Sequence, residues 1–405
     1  MAQKLKFGNG TWATKKGSTL SYNDEGGNYK PLPFTTTRDS IATRVNKEGL
    51  IEVVGNDVPR IDYTDSEDGV LLLENSSTNR FLYSEDLTQF DLSSSGTGSS
   101  NPIVTSNYGI SPDGTQNADR VQLDAGTDAA GNSRITETFT IYATTETISV
   151  YLKSNDGQEH TIDIIQSNNA QDIATVTNEW QRFSFTNVNG SPDKYGIGLS
   201  GSNGETADVL AWGFQLEQSS FSTSYIPTNG SSVTRQADTA SGAGNDVVFN
   251  DSEGALFADI LIPENISANA NICISKGING QNLFKILYLQ NEEKFRAELR
   301  DSTVHTIIDY SNFNLGEFSK VLLSYNSTTL KMYIDGFEIG SKDVNGIPSG
   351  LNQIDFDRGD GNAPFYGKTK EIGYYDTALT DEELEYMTSY RSLNELVTEL
   401  NLNEL

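Results

Sequence analysis

Leu330-Lys331-Met332-Tyr333-Ile334-Asp335-Gly336-Phe337-Glu338-Ile339 reads as two short strands folded about a two-residue turn. Apolar positions recur with period two on both sides of Asp335-Gly336. The Asp-Gly step supplies the positive backbone angles that a type I′ hairpin turn demands. Outward from this hairpin the same pattern repeats at residues 256–262, 284–289, 295–299 and 320–325. Further upstream it returns at 135–141, 148–152, 180–185 and 209–216, with Gly, Asn and Ser between the runs. Strands at this spacing build β-sandwiches rather than βαβ units. Val70-Leu71-Leu72-Leu73 is apolar without a break, as expected for a strand covered on both faces.

The expected fold is therefore all-β, with two tandem β-sandwiches of jelly-roll type after a small β-rich N-terminal region. Residues 91–101 read as a polar loop, and Thr228-Asn229-Gly230-Ser231-Ser232 after Pro227 reads as a boundary. The division that follows is 1–90, 91–235, 236–390 and an acidic helical tail, 391–405. Thr380-Asp381-Glu382-Glu383 fits a helix-opening capping box, with acids at the positive helix end. Leu384, Met387 and Tyr390 follow at helical spacing, and Leu393, Leu396, Val397 and Leu400 extend the stripe.

The 405 residues carry 28 Lys+Arg against 56 Asp+Glu, a net charge of −28. That balance excludes nucleic acid as the main partner, because phosphate binding needs a basic face. No apolar run approaches the roughly 20 residues of a membrane-spanning helix, so no membrane insertion is expected. Cys273, the single cysteine, cannot form an intrachain disulfide. Charge is uneven. Residues 1–47 hold eight basic side chains (Lys4, Lys6, Lys15, Lys16, Lys30, Arg38, Arg44, Lys47) and three acidic ones. Such a segment suits an attachment arm docking on an acidic body. The N-terminus lacks the apolar stretch of a Sec-type signal peptide, so none is expected.

Signals for chemistry are sparse. Gly196-Ile197-Gly198-Leu199-Ser200-Gly201 matches G-x-G-x-x-G, yet a turn and a strand follow it instead of the helix that a dinucleotide site requires. His160 and His305 fall in different expected domains, and no nucleophile elbow accompanies either. Glu-x-Asp-x-x-Glu, which would place three carboxylates on one strand face, is absent from the sequence. The chain is therefore read as non-enzymatic. Asp355, Asp357 and Asp360 concentrate oxygen ligands in a glycine-rich turn and are the candidate metal ligands, for Ca²⁺. Trp180 and Trp212 lie on apolar strand faces and are read as core.

Residues 71–86 (Leu-Leu-Leu-Glu-Asn-Ser-Ser-Thr-Asn-Arg-Phe-Leu-Tyr-Ser-Glu-Asp) resemble a segment of tailed-bacteriophage virion proteins, as do residues 37–51. Ser224-Tyr225-Ile226-Pro227-Thr228 with Val233-Thr234-Arg235-Gln236-Ala237-Asp238 resembles the close of a carbohydrate-binding-module-like jelly roll in such proteins. Residues 179–183 and 212–217 fit that module too. Met332-Tyr333-Ile334-Asp335-Gly336 and residues 370–384 are similar to the laminin G/concanavalin A-like family. These resemblances imply a virion protein, a tail or head fibre recognising host-surface polysaccharide. It would be held on the particle through residues 1–47, assembled as a homotrimer and made in the host cytoplasm without an export signal. The alternatives are a structural capsid-decoration, tail or baseplate component, and a polysaccharide depolymerase.

Overall fold

In a computed structural model the described residues are 3–10, 12–22, 29–139, 145–166, 171–187, 194–277 and 281–390. Apart from one 3-10 turn and one short α-helix they form strands and connecting loops, and the ladders between the described strands are antiparallel. The Asp335-Gly336 hairpin is present: Thr329–Ile334 pairs with Phe337–Asp343, Ile334 facing Phe337. Both turn residues have positive φ, 50° and 86°. Asp335 adopts this angle as one of the short polar side chains that tolerate it.

The chain divides into two compact units. An inserted unit comprises 40–53 and 76–236, and a terminal unit comprises 1–39, 54–75 and 237–405. The inserted unit is a sandwich of two five-stranded sheets. One has the order Asp91–Ser95, Asn132–Thr138, Lys194–Ser200, His160–Ile165, Gln171–Val176. The other has the order Ser100–Gly109, Ala118–Asp124, Thr206–Glu217, Glu146–Ser154, Gln181–Asn187. Alternate residues of both sheets, among them Val121, Ile135, Val150, Ile164, Ile197 and Val209, fill the space between them. Residues 91–101 depart from the loop reading, since strands occupy Asp91–Ser95 and begin again at Ser100. Their serines sit at sheet edges, where side chains need no apolar neighbour: Ser94 donates to Asn101 at 2.9 Å. The Gly196 motif lies in strand Lys194–Ser200. A Cβ on Gly196 would stand 2.0 Å from the Ile135 carbonyl oxygen, so this glycine serves close strand packing.

The terminal unit pairs a large sheet with a five-stranded one, His305–Tyr310, Lys294–Arg300, Leu283–Leu289, Ala270–Ser275, Gln353–Asp355. Its core takes in Leu5, Phe7 and Phe34 from the N-terminal segment together with Leu256, Ile272, Phe284, Val321 and Tyr374. Strand Gln3–Gly8 pairs with Gly367–Tyr375, Leu5 opposite Tyr374 and Phe7 opposite Ile372. Residues 1–90 are thus not a separate module, a correction to the sequence-based division. Leu5 and Phe7 are too apolar to remain outside a core, and an otherwise open strand edge takes up their backbone. Some basic side chains of residues 1–47 are used inside the fold, Lys4 lying 3.3 Å from Asp376, Lys6 3.5 Å from Glu371 and Arg44 pairing with Glu52, whereas Lys15, Lys16 and Lys47 are exposed. Val70–Leu73 is buried at all four positions, as its unbroken apolar run requires.

Helix Asp381–Thr388 opens with the expected capping box: Thr380 accepts the Glu383 N–H, and Glu383 accepts the Thr380 N–H. Leu384 packs with Leu379 on Ala255, Phe257, Leu322 and Tyr333. The acidic tail 391–405, with Leu393, Leu396, Val397 and Leu400, lies outside the described residues.

Two segments that stand out in the sequence meet in one buried network. Arg38 Nη1 donates to Asp238 Oδ1 at 2.9 Å, and Arg60 donates to the other Asp238 oxygen and to Glu74 at 2.6 Å. Arg38, Arg60 and Asp238 are almost fully buried. Two arginines around one carboxylate satisfy charges that could not otherwise leave water.

Candidate functional site

A cleft of about 560 Å³ opens at the end of the terminal unit where three loops converge. Residues 262–269 leave strand Gly254–Leu261, residues 290–293 turn between Leu283–Leu289 and Lys294–Arg300, and residues 311–317 join His305–Tyr310 to Phe318–Tyr325. Local chemistry fixes each loop. Asn269 Oδ1 caps the Gln290 N–H at 3.0 Å, and Gly316 donates its N–H to the Ile262 carbonyl at 2.8 Å. Gly316 has φ +83°, and a Cβ there would lie 2.8 Å from Glu264 Cγ. Glycine therefore lets the third loop close on the first.

One part of the cleft is aromatic. Phe313 stacks on buried Phe295 with centroids 4.3 Å apart and planes 10° from parallel, and the Tyr288 ring stands 6.4 Å from Phe313. The polar lining includes the amides of Gln290 and Asn314, the Ser311 hydroxyl and three exposed carboxylates, Glu264, Glu293 and Glu317. Burial, reinforced by the Glu293 charge, pushes the Tyr288 phenol up, so its proton stays in place near neutrality. The volume lies within the range of small-ligand sites. A half-buried ring face beside amides and hydroxyls suits a molecule with one apolar face and a rim of hydroxyls.

The sequence-selected residues lie elsewhere and do not converge on one ligand. Asp355 is buried, accepting from Gln353 Nε2 at 2.8 Å and from the Gly242 N–H at 2.7 Å. Burial pushes its carboxyl up to about 6. Asp357 Oδ1 accepts the N–H groups of Gly359 and Gly361 at 2.6 and 3.1 Å, and Asp360 pairs with Arg358 at 2.5 Å. Asp357 and Asp360 are engaged by donors of the turn itself and Asp355 by Gln353 and Gly242, and among the described residues no group of three or more His, Cys, Asp or Glu is placed to hold a metal ion. His160 pairs with Asp156 at 2.9 Å in the inserted unit, and His305 with Glu298 at 2.9 Å in the terminal unit.

Trp212 is buried, but not between the two sheets. It packs with Tyr225, Tyr151, Ile51 and Val45 on the other face of its sheet, beneath the hairpin Ala42–Val45/Ile51–Val54. Trp180 is partly buried at the same cluster, its Nε1 donating to the Ile110 carbonyl at 3.0 Å. Sequence reasoning did not select the cleft residues. One local signal existed: Asn312-Phe313-Asn314-Leu315-Gly316 sets a phenylalanine in a polar, turn-forming stretch.

Residues 261–385 match the concanavalin A-like lectin/glucanases superfamily, a span that contains the whole cleft. No curated protein matches the chain. Among solved structures, the CBM40 of the Ruminococcus gnavus IT-sialidase bound to α2,3-sialyllactose is similar at 18% identity and TM-score 0.31, over 35% of this chain and 85% of that one. Domain 4 of a GH43 extracellular arabinanase from Geobacillus stearothermophilus, in complex with arabinotriose, is similar at 14% identity and TM-score 0.32, over 38% and 73%. Trypanosoma rangeli sialidase is similar at 12% identity and TM-score 0.27, over 91% and 65%.

Proposed function

We propose that this chain is a non-enzymatic glycan-binding protein whose terminal unit holds sugar in the cleft between residues 264 and 317. The observation that carries the reading is that cleft: the Phe313 and Tyr288 rings beside Gln290, Asn314 and Ser311, all inside the lectin/glucanase-like span. A pyranose stacks its C–H face on an aromatic ring while amides and hydroxyls bind its oxygens. Tyr288, kept protonated, serves as a hydrogen-bond donor.

The biological setting proposed is a tail or head fibre of a bacteriophage particle that contacts host-surface polysaccharide. Support comes from the virion-protein resemblance of residues 37–51 and 71–86. In a homotrimer three such clefts would convert weak contacts into useful avidity. Arg38 is buried, and Lys4, Lys6 and Arg44 have acidic partners within the fold, so attachment would fall to Lys15, Lys16 and Lys47, which are exposed. Reversing those three charges should remove the protein from particles while leaving it folded. Normal incorporation of the variant would sink the attachment role.

The direct test exposes purified protein to a panel of bacterial surface polysaccharides and records retained protein and released reducing ends together. Retention without new ends, weakened by Phe313→Ala, is the expected outcome. Three glutamates on the cleft keep a depolymerase as the second reading, and new reducing ends would move it to the front. No retention at all would leave a structural particle component.

A further inference from the structure

Resting on the glycan reading of this cleft, we infer that it selects sugars by charge: it takes glycans bearing a protonated amine and rejects those bearing sialic or uronic acid carboxylates. Glu264, Glu293 and Glu317 all line it, and among the described residues its lining includes no Lys, Arg or His. Each of the three comes from a different loop. Among the described residues none of them is in an ion pair, although acids next to the cleft are paired. Glu292 lies 3.3 Å from Lys294, and Asp309 lies 2.6 Å from Arg296.

The chain thus neutralises neighbouring acids and leaves these three free to face a ligand. The negative field acts on the site itself, since the Glu293 charge contributes to holding the proton on Tyr288. A carboxylate on an incoming sugar would meet like charge with no cation to offset it, whereas an ammonium would find partners on any of three sides. The aromatic wall supplies stacking to all pyranoses alike, so it sets affinity without setting charge preference.

The test measures binding of the full-length protein to three matched probes by titration calorimetry: chitosan tetramer, N-acetylated chitin tetramer and oligogalacturonate. The amine-bearing tetramer should bind about two- to fivefold tighter than the acetylated one at low salt, the gain expected of an exposed ion pair. The advantage should fade in 0.5 M NaCl, where the screening length falls to about 4 Å and exposed ion pairs weaken. Oligogalacturonate should bind most weakly. Glu264→Gln/Glu293→Gln/Glu317→Gln should abolish the charge order while retaining the acetylated tetramer, which also verifies folding. Equal or tighter binding of oligogalacturonate, or a charge order that survives the triple variant, would overturn the inference and leave glycan binding standing. Absence of binding to all three probes, with the polysaccharide panel also negative, would overturn both.

Discussion

The two units share an architecture and treat their aromatic residues in opposite ways. In the inserted unit, Trp212 and Tyr225 are buried on one sheet face against Ile51 of the unit's own hairpin, with Tyr151 half-buried beside them. In the terminal unit, Phe313 stays half-buried at a loop end and lines a cleft, with Tyr288 buried beside it. Aromatic richness alone therefore does not mark a ligand site. What decides is whether another part of the chain takes up the ring faces.

Substitutions can sharpen or break that contrast. The largest effect is expected from Asp238→Asn, which leaves Arg38 and Arg60 buried around a neutral side chain. The terminal unit should lose about 3–5 kcal/mol, read by urea denaturation. Trp212→Ala should cost the inserted unit about 3–5 kcal/mol through the cavity it leaves, without changing glycan retention. Phe313→Ala should do the reverse, lowering affinity by up to about tenfold with a smaller loss of stability. If Trp212→Ala abolishes retention in a folded protein, the two aromatic clusters do not differ as described.

Each unit also holds a carboxylate raised mainly by burial: Asp355 at about 6 in the terminal unit and Glu137 at about 7 in the inserted one. Between its ordinary value and these, the folded state binds the proton more tightly than the unfolded state. Stability should fall as pH rises from about 4 through 6 for the Asp355 contribution, on the order of 3 kcal/mol, and from about 4.5 through 7 for that of Glu137. Asp355→Asn and Glu137→Gln should flatten these slopes in melting curves taken from pH 4 to 8. An unchanged slope in either variant would remove that residue as its source. The smallest effect is expected at the helix, where Thr380→Ala should cost about 1 kcal/mol by deleting the cap.

Much of the fold was legible because its signals are local. The Asp335-Gly336 turn, the alternating runs and the Thr380 capping box each depend on residues within a few positions of one another. The edge strand Asp91–Ser95 was illegible because serines on an exposed edge carry no apolar period. The candidate site was illegible for a different reason. Glu264, Glu293 and Phe313 come from three loops, and no spacing rule relates them.

By itself the sequence determined an all-β chain with turns at defined positions, a capped helix near the end and an acidic balance unsuited to nucleic acid. Tertiary structure decided which strands share a sheet, so that Leu5 and Phe7 lie beside Tyr374 and Ile372. It also decided which charges are satisfied: Asp238 meets Arg38 across 200 residues, while Glu264, Glu293 and Glu317 remain without an ion pair among the described residues. The physical reason is range. Backbone angles and side-chain period are set by neighbours in sequence, whereas burial and charge pairing depend on which distant segments close upon one another.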